Sequence, residues 1–413
     1  MKLTQKIRIF PDSGQEEILW QLSEKCRLIY NFALSERIDL WKNKGEYVSY
    51  FKQQNDLPKI KERYPEYKWV YSKVLQYTLK TLDADYCSFF ALLKKGDKKA
   101  RPPKFKGKKY FTTMVYNQSG FKLKDGYVFL SQNYSKTPLK FKISDKFKFN
   151  EVYQVSVFKK DDKFYISITY NRQVKDYIDK NKYQAFDLGI IKHTAVNLNA
   201  KFIELKNSRV DKYWQKKIQS IQSRRDHCKK GSRKWNILNN NLKLMKKKSA
   251  NQTKDFQHKL SRKIIDNTKA NTIIVGDLSV KDMSKKKKGK SNHKGTRGLN
   301  RAIQNTGTLG RFVRFLTYKA ELIGKRVIEI NERDTSKKCC VCGKKHDMPL
   351  YKRVIICDCG NEIDRDKNSA INIMSRFLSQ NAKWTGYQQF ADNMRKTGLP
   401  IQAMYSHEAL CES

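Results

Sequence analysis

Residues 3–10 alternate, with Leu3, Ile7 and Ile9 set against Lys2, Lys6 and Arg8, which is the two-residue period of a half-buried strand. Pro11-Asp12-Ser13-Gly14 then supplies helix-start residues. From 15 to 42 the period lengthens, and Ile18, Leu19, Leu22, Cys26, Leu28, Ile29, Phe32 and Ala33 fall at helical spacing. A second helical region is predicted over about 57–95, striped by Val74, Leu75, Thr78, Leu79, Leu82, Tyr86 and Phe89. The basic loop Arg101-Pro102-Pro103-Lys104-Phe105-Lys106-Gly107-Lys108-Lys109 follows it, its prolines incompatible with helix. From 111 to 172 the period returns to two, as in Tyr153–Val157 and Phe164–Ile168, with turns at Gly126 and Asp161-Asp162. Together with the opening strand this predicts an antiparallel β region interrupted, in sequence, by a helical segment.

Beyond Lys180 the pattern changes. Tyr183–Ile190 reads as a short buried strand, followed by strands at Thr194–Leu198 and Lys201–Leu205. Residues 209–268 are strongly basic and helical, broken near Lys229-Lys230-Gly231-Ser232. Thr272–Val275 and Arg326–Asn331 read as fourth and fifth strands, with helices expected at about 308–324 and 366–379. Between them, 281–301 hold nine Lys/Arg, one acid and three glycines, and are expected to be a mobile loop. Helices between strands of one sheet make 181–379 an α/β domain. The last thirty-odd residues carry little pattern and are expected to be a loose tail.

Charge narrows the function. Lys and Arg number 87 against 40 Asp and Glu, a net charge of +47 spread over most of the 413 residues, so a polyanionic partner is implied and nucleic acid is the default. The longest apolar run, Phe89–Leu93, is far short of the ~18 residues of a membrane span. No apolar secretory segment follows Met1, and 12% aromatic content is too high for a disordered polycation. A folded, basic, intracellular protein is expected.

Four of nine cysteines stand alone, while Cys339, Cys340, Cys342, Cys357 and Cys359 lie within twenty-one residues. Cys339-x2-Cys342-Gly343 and Cys357-x-Cys359-Gly360 form two thiolate pairs on glycine-closed turns, the layout of a structural tetrahedral zinc ribbon. The second pair is one residue shorter than usual, so Cys340 or His346 remains open as a substitute ligand.

Asp187 lies in the first buried strand, where an unpaired charge is costly, and Asp364-Arg365-Asp366 opens a helix. Read blandly, these are a strand-end acid bonded to loop amides and a helix cap. Two acids from a strand and a later helix are also what a two-Mg²⁺, ribonuclease-H-type phosphodiesterase site requires, its metals about 4 Å apart.

At these residues the chain resembles the TnpB family of transposon-encoded RNA-guided DNA endonucleases, relatives of compact type V CRISPR effectors and Fanzor proteins. The resemblance rests on Phe186-Asp187-Leu188-Gly189-Ile190, Asp255-Phe256-Gln257-His258-Lys259-Leu260, Tyr318-Lys319-Ala320, Thr335-Ser336-Lys337-Lys338-Cys339-x2-Cys342-Gly343 and Asp364-Arg365-Asp366-Lys367-Asn368-Ser369-Ala370-x-Asn372-Ile373. Cys26-Arg27-Leu28-Ile29-Tyr30-Asn31 and Pro103-Lys104-Phe105-Lys106 are similar too. It implies an α/β multidomain fold. A RuvC-like (RNase H fold) nuclease domain would occupy 179–334 and 361–380, with a zinc-ribbon, target nucleic-acid-binding insert at 335–360. A wedge-type β-barrel domain, 1–12 and 111–178, would be interrupted by a helical recognition domain, 13–110, leaving 381–413 as tail. It further implies a guide RNA and double-stranded target DNA as partners, cleavage beside a short adjacent motif, and a cytoplasmic, nucleoid-associated prokaryotic setting. Two catalytic Mg²⁺ and one structural Zn²⁺, the latter on Cys339, Cys342, Cys357 and Cys359, are expected.

By that resemblance Asp187 is the first catalytic acid and Asp366 the last, but the family's fourth-strand glutamate is here Gly276, in Val275-Gly276-Asp277-Leu278. Three readings follow: Asp277 substitutes, although it belongs to the opposite strand face; the site is dead and the protein is a nuclease-inactive RNA-guided repressor; or another acid moves in. Ile328, Ile330 and Glu332 share one face of the fifth strand. A glutamate there can span the ~4.8 Å to a neighbouring strand, and glycine leaves room for it. Fanzor proteins use such a relocated glutamate, and Glu332 before Thr335-Ser336 resembles it, which makes Asp187, Glu332 and Asp366 the expected Mg²⁺ ligands. The basic stretches at 101–109, 224–234, 246–248 and 281–301 are expected on nucleic-acid phosphates, the last also as a lid. Gln76, Asn117 and Gln118 are candidates for base edges of the adjacent motif.

Overall fold

A computed structural model describes residues 1–117, 119–143, 149–277, 309–349, 351–380 and 384–401. Gln118, the 281–301 segment and the last twelve residues of the expected tail lie outside these. The chain divides into two compact units, Met1–Gln173 and Val174–Ser413. Residues 174–178 go with the second unit, where the Tyr177 hydroxyl meets Thr272 Oγ1 at 2.6 Å.

In the first unit, strand β1 (Lys2–Arg8) is followed by helices α1 (Ser13–Lys44), α2 (Tyr50–Asn55), α3 (Leu57–Arg63) and α4 (Ser72–Lys94). Asp12 starts α1 with a reciprocal cap: its carboxylate accepts from the Gln15 amide at 2.8 Å, and Gln15 Oε1 accepts from the Asp12 amide. Six strands follow: β2 (Met114–Asn117), β3 (Phe121–Lys124), β4 (Tyr127–Leu130), β5 (Leu139–Lys142), β6 (Val152–Lys160) and β7 (Lys163–Asn171). β1 returns to pair antiparallel with β7 in a sheet ordered β1-β7-β6-β2, and β3, β4 and β5 form a separate three-stranded sheet. The inward residues of these strands, among them Tyr116, Val155 and Ile166, share one core with Leu19, Leu22, Ile29, Leu75 and Leu79 of the helices.

The second unit holds β8 (Tyr183–Leu188), β9 (Lys192–Asn197), β10 (Phe202–Lys206), α5 (Val210–Asp226), α6 (Arg233–Asn267), β11 (Thr272–Gly276), α7 (Leu309–Glu321), β12 (Arg326–Ile330), the short hairpin β13 (Val354–Ile356) and β14 (Glu362–Asp364), α8 (Arg365–Gln380) and α9 (Trp384–Lys396). Its five-stranded sheet is ordered β10-β9-β8-β11-β12; β8, β11 and β12 run parallel, and β9 is antiparallel to both its neighbours. Each sheet face carries its own core. Tyr183, Ala185, Ile274 and Ile330 pack with Ile371, Met374 and Phe377 of α8. Phe186, Leu188, Ile273 and Val275 pack with Ile264, Phe312 and Leu316 of α6 and α7. The helix at 384–396 corrects the expectation of a loose tail: Tyr387, Phe390 and Met394, one turn apart, are buried in the α8-side core. Among the described residues, no helix is long and apolar enough to cross a membrane.

Candidate active site and metal centre

The alternation of β8 that sends Tyr183 and Ala185 toward α8 places Asp187 on the same face. On β11 that face carries Ile274 and then Gly276; on β12 it carries Ile330, and Glu332 comes two residues later. The register sets Gly276 opposite Ile330, and the Asp277 amide continues the ladder by donating to the Ile330 carbonyl at 2.7 Å. Glu332 consequently folds back over Gly276. A Cβ added to Gly276 would lie 2.0 Å from Glu332 Oε2, 2.8 Å from its Cβ and 2.9 Å from its Cδ. The glycine is the space that the glutamate fills.

The third acid comes from α8. Asp364 Oδ1 accepts from the amides of Asp366 and Lys367 at 2.9 and 3.1 Å, capping the helix and fixing its first turn, which carries Asp366. Asp187, Glu332 and Asp366 all line one cavity of about 320 Å³, together with Lys192, Lys337, Arg353, Arg365 and Ser369. Burial, then the charges of Asp366 and Glu332, push the Asp187 carboxyl up to about 8, while Arg365 and a hydrogen bond from Ser369 pull it back. Burial and then Asp277 push Glu332 up to about 7. Asp277 itself is exposed and does not line the cavity, although its charge reaches Glu332. Three carboxylates gathered in one cavity, two of them resisting ionisation, form a donor set that suits a hard divalent cation.

The cysteine cluster assembles too. Sγ atoms of Cys339, Cys342, Cys357 and Cys359 all lie within 4.8 Å of one another, close enough to hold one metal ion. Both turns close alike: the Gly343 amide donates to the Cys339 carbonyl and the Gly360 amide to that of Cys357, each at 2.9 Å, with φ of 75° and 85° that favour glycine. Burial raises the Cys339 thiol, but amide donors and the Asn361 side chain outweigh it, so its pKa falls. Cys340 is buried, pushed up to about 12, and stands with His346 outside the four-sulfur group.

Asn368, Ser369 and Asn372 of the Asp364–Ile373 motif join the two sites. Asn368 and Asn372 both donate to the carbonyls of Thr335 and Lys338, at 2.7–3.2 Å, and Asn368 Oδ1 accepts from the Cys340 amide at 2.8 Å. Ser369 shares a hydrogen bond with Thr335 at 3.1 Å. The chain from Glu332 to the first knuckle is thus laced to the helix bearing Asp366. Only the spacing of the asparagines, one turn apart, hinted at this. Gln76 and Asn117 sit in the first unit on the adjacent elements α4 and β2; the Asn117 side-chain oxygen is buried without a partner among the described residues.

Three family descriptions match parts of the chain: "Helix-turn-helix domain" at 1–46, where the structure holds β1 and the single helix α1; "Probable transposase" at 167–302; and "Cas12f1-like, TNB domain" at 310–373. A Streptomyces pristinaespiralis protein named "Putative RNA-guided DNA endonuclease" is 25% identical over 94% of this chain and 93% of its own. The similarly named InsQ of Escherichia coli K12 is 26% identical, over 82% of each. Among solved structures, a Cas12f1 chain from a complex with single-guide RNA and target DNA superposes with a TM-score of 0.59 at 13% identity, covering 90% of this chain and 98% of that one. The endonuclease CRISPR-Cas_phi3 gives a TM-score of 0.50 at 11% identity, covering 91% and 92%.

Proposed function

We propose that this chain is a member of the TnpB family and an RNA-guided DNA endonuclease that hydrolyses phosphodiester bonds in the cavity lined by Asp187, Glu332 and Asp366. The observation that carries the reading is Glu332 over Gly276: the carboxylate missing from the fourth strand is supplied from the fifth. It also disfavours the nuclease-inactive repressor, whose one support was the glycine.

Two Mg²⁺ held by the three carboxylates would supply charge stabilisation to the attacking and leaving oxygens. The chain's own residues prepare the place. The Asp364 cap and the Asn368 and Asn372 bonds hold Asp366, and Ser369 holds Asp187. Lys192, Lys337, Arg353 and Arg365 surround the cavity with positive charge for the phosphates of the strand to be cut. A mixed sheet of order β10-β9-β8-β11-β12 with acids at its parallel strand ends and on α8 supports a RuvC-like assignment for 179–334 and 361–380. The four-thiolate cluster supports a structural Zn²⁺ in 335–360, closed to substrate because no ligand position is left. We assign 1–12 and 111–173 as the wedge-type domain and 13–110 as the recognition domain, with Gln76 and Asn117 toward the adjacent motif. Guide RNA and target DNA would be held by shape and charge, which the +47 excess favours.

The test is cleavage of a matched plasmid by protein loaded with its co-purifying RNA, with and without Mg²⁺. Asp187→Ala, Glu332→Ala and Asp366→Ala should each abolish cutting and leave RNA and target binding nearly intact. Normal cutting by Glu332→Ala, or none by the unaltered protein, refutes the assignment.

A further inference from the structure

The loop Arg101–Lys109 is pinned through the backbone of Lys106 and leaves most of its other side chains exposed. Arg27 and Asn31, one turn apart on α1, both donate to the Lys106 carbonyl at 2.9 Å, and Asn31 Oδ1 accepts from the Lys106 amide at 2.8 Å. Arg27 is itself buried and held by Glu24 at 2.5 and 2.8 Å. The Lys106 ammonium turns inward, 3.5 Å from the centre of the Tyr30 ring, whose hydroxyl donates to Asp85. Downstream, the Tyr110 amide closes a turn on Gly107, and the Thr112 amide donates to the buried Ser23 hydroxyl at 2.7 Å. Two segments far apart in sequence, Cys26–Asn31 and Pro103–Lys106, are thereby one clamp.

Fixing a loop costs conformational entropy at every residue, and a chain that needs only surface lysines for solubility has no call for it. What the clamp presents is specific. Phe105 stands 58% exposed beside the pinned Lys106, with Lys104, Lys108 and Lys109 exposed around it in sequence and Tyr110 51% exposed beyond. A rigid, water-facing aromatic ring flanked by cations matches a stacked base between phosphates, since every base offers a π-face and every link a charge.

We propose that the Arg101–Lys109 loop is a base-stacking site, in which Phe105 stacks on an unpaired nucleobase while Lys104, Lys108 and Lys109 contact the flanking phosphates. It rests on the reading of this chain as a nucleic-acid enzyme. The nucleobase could belong to RNA or to opened DNA; the chemistry is shared.

The full-length protein is titrated with four labelled probes, each carrying 2-aminopurine: single-stranded RNA, single-stranded DNA, a duplex with an unpaired arm, and a blunt duplex. Affinity is read as a function of salt. Phe105→Ala should weaken at least one probe with unpaired bases about tenfold and relieve the quenching of its 2-aminopurine, with the salt slope unchanged. The blunt duplex should be unaffected. Phe105→Trp should restore both. Lys108→Ala should instead reduce the slope by about 0.7 on a single-stranded probe for the lost phosphate. Asn31→Ala, with its melting temperature checked, should weaken binding as Phe105→Ala does although the ring remains. The probe that weakens identifies the strand. Equal affinity of Phe105→Ala for all unpaired probes, or a loss shared by the blunt duplex, overturns the proposal. If the unaltered protein binds no probe, the functional reading fails instead.

Discussion

Replacing Gly276 by alanine is the smallest change that should remove the third carboxylate from the cavity without touching a carboxylate. Gly276 sits in ordinary strand conformation, so the backbone accepts alanine, and the whole effect lies in contact. The added methyl would sit 2.0 Å from Glu332 Oε2, far inside van der Waals range, and less than 3 Å from its Cβ and Cδ. A rotated carboxylate would relieve the first contact but not the Cβ contact, so the segment must also shift. Overpacking of this kind costs about 1–3 kcal/mol if nothing moves. Against that stands the cost of ionised Glu332 where it is: a carboxyl raised from 4.5 to about 7 corresponds to about 3 kcal/mol of disfavoured charge above neutral pH when no cation is bound. Ejecting the side chain releases much of it. The two terms offset, so the melting temperature in Mg²⁺-free buffer at pH 8 should scarcely move. Cleavage should fall about 100-fold or more, the scale on which losing one electrostatic contact to the transition state is felt. Single-turnover cutting of a matched target and thermal melts with and without Mg²⁺ read the two effects. The stabilisation that Mg²⁺ confers on the unaltered protein should shrink in the variant. Gly276→Ala combined with Glu332→Ala should be no slower than Glu332→Ala alone, because both remove one interaction. A variant that cuts normally and keeps its Mg²⁺ stabilisation would refute the relocated glutamate.

Asp187 should make the metal-free protein pH-sensitive. The folded chain keeps a proton on it that the unfolded chain loses between its ordinary 3.8 and about 8, so stability from this group is full below that window and declines as pH rises through it. Asp187→Asn should therefore melt higher than the unaltered protein at pH 8 in Mg²⁺-free buffer, with the difference vanishing toward pH 4; an equal gap at both would contradict this. Cys342→Ser should lose bound zinc, melt at lower temperature and cut more slowly, because the cluster braces Thr335–Cys340 against α8; full zinc content at unchanged stability would remove Cys342 from the ligands. Asp364→Ala should cost about 0.5–2 kcal/mol as a lost helix cap and slow cleavage as Asp366 loses its anchor, while leaving target affinity unchanged; a loss of affinity without a loss of rate would argue against a positioning role.

Much of this protein could be read from residue order. The alternation at 3–10 falls on β1, the stripe from Ile18 to Ala33 on α1, and the two glycine-closed cysteine pairs converge as spaced, because each depends on contacts within a few residues. The tail helix is not legible in residue order because Tyr387, Phe390 and Met394 form too sparse a stripe, and their burial comes from the α8-side core rather than from their own segment. Asn368 and Asn372 were visible as a motif, but their partners are backbone carbonyls more than thirty residues away, which no periodicity records.

The third carboxylate marks the division most clearly. Alternation along β12 decides that Ile328, Ile330 and Glu332 share a face, and the lack of a side chain at Gly276 decides that space exists beside the fourth strand; both are local and legible. That β12 lies beside β11, parallel and with Ile330 opposite Gly276, is decided only by the packing of both strands between α8 on one side and α6 and α7 on the other. A slip of one residue would have turned Glu332 to the other face. Residue order supplied the acid and the gap, and the register brought them together.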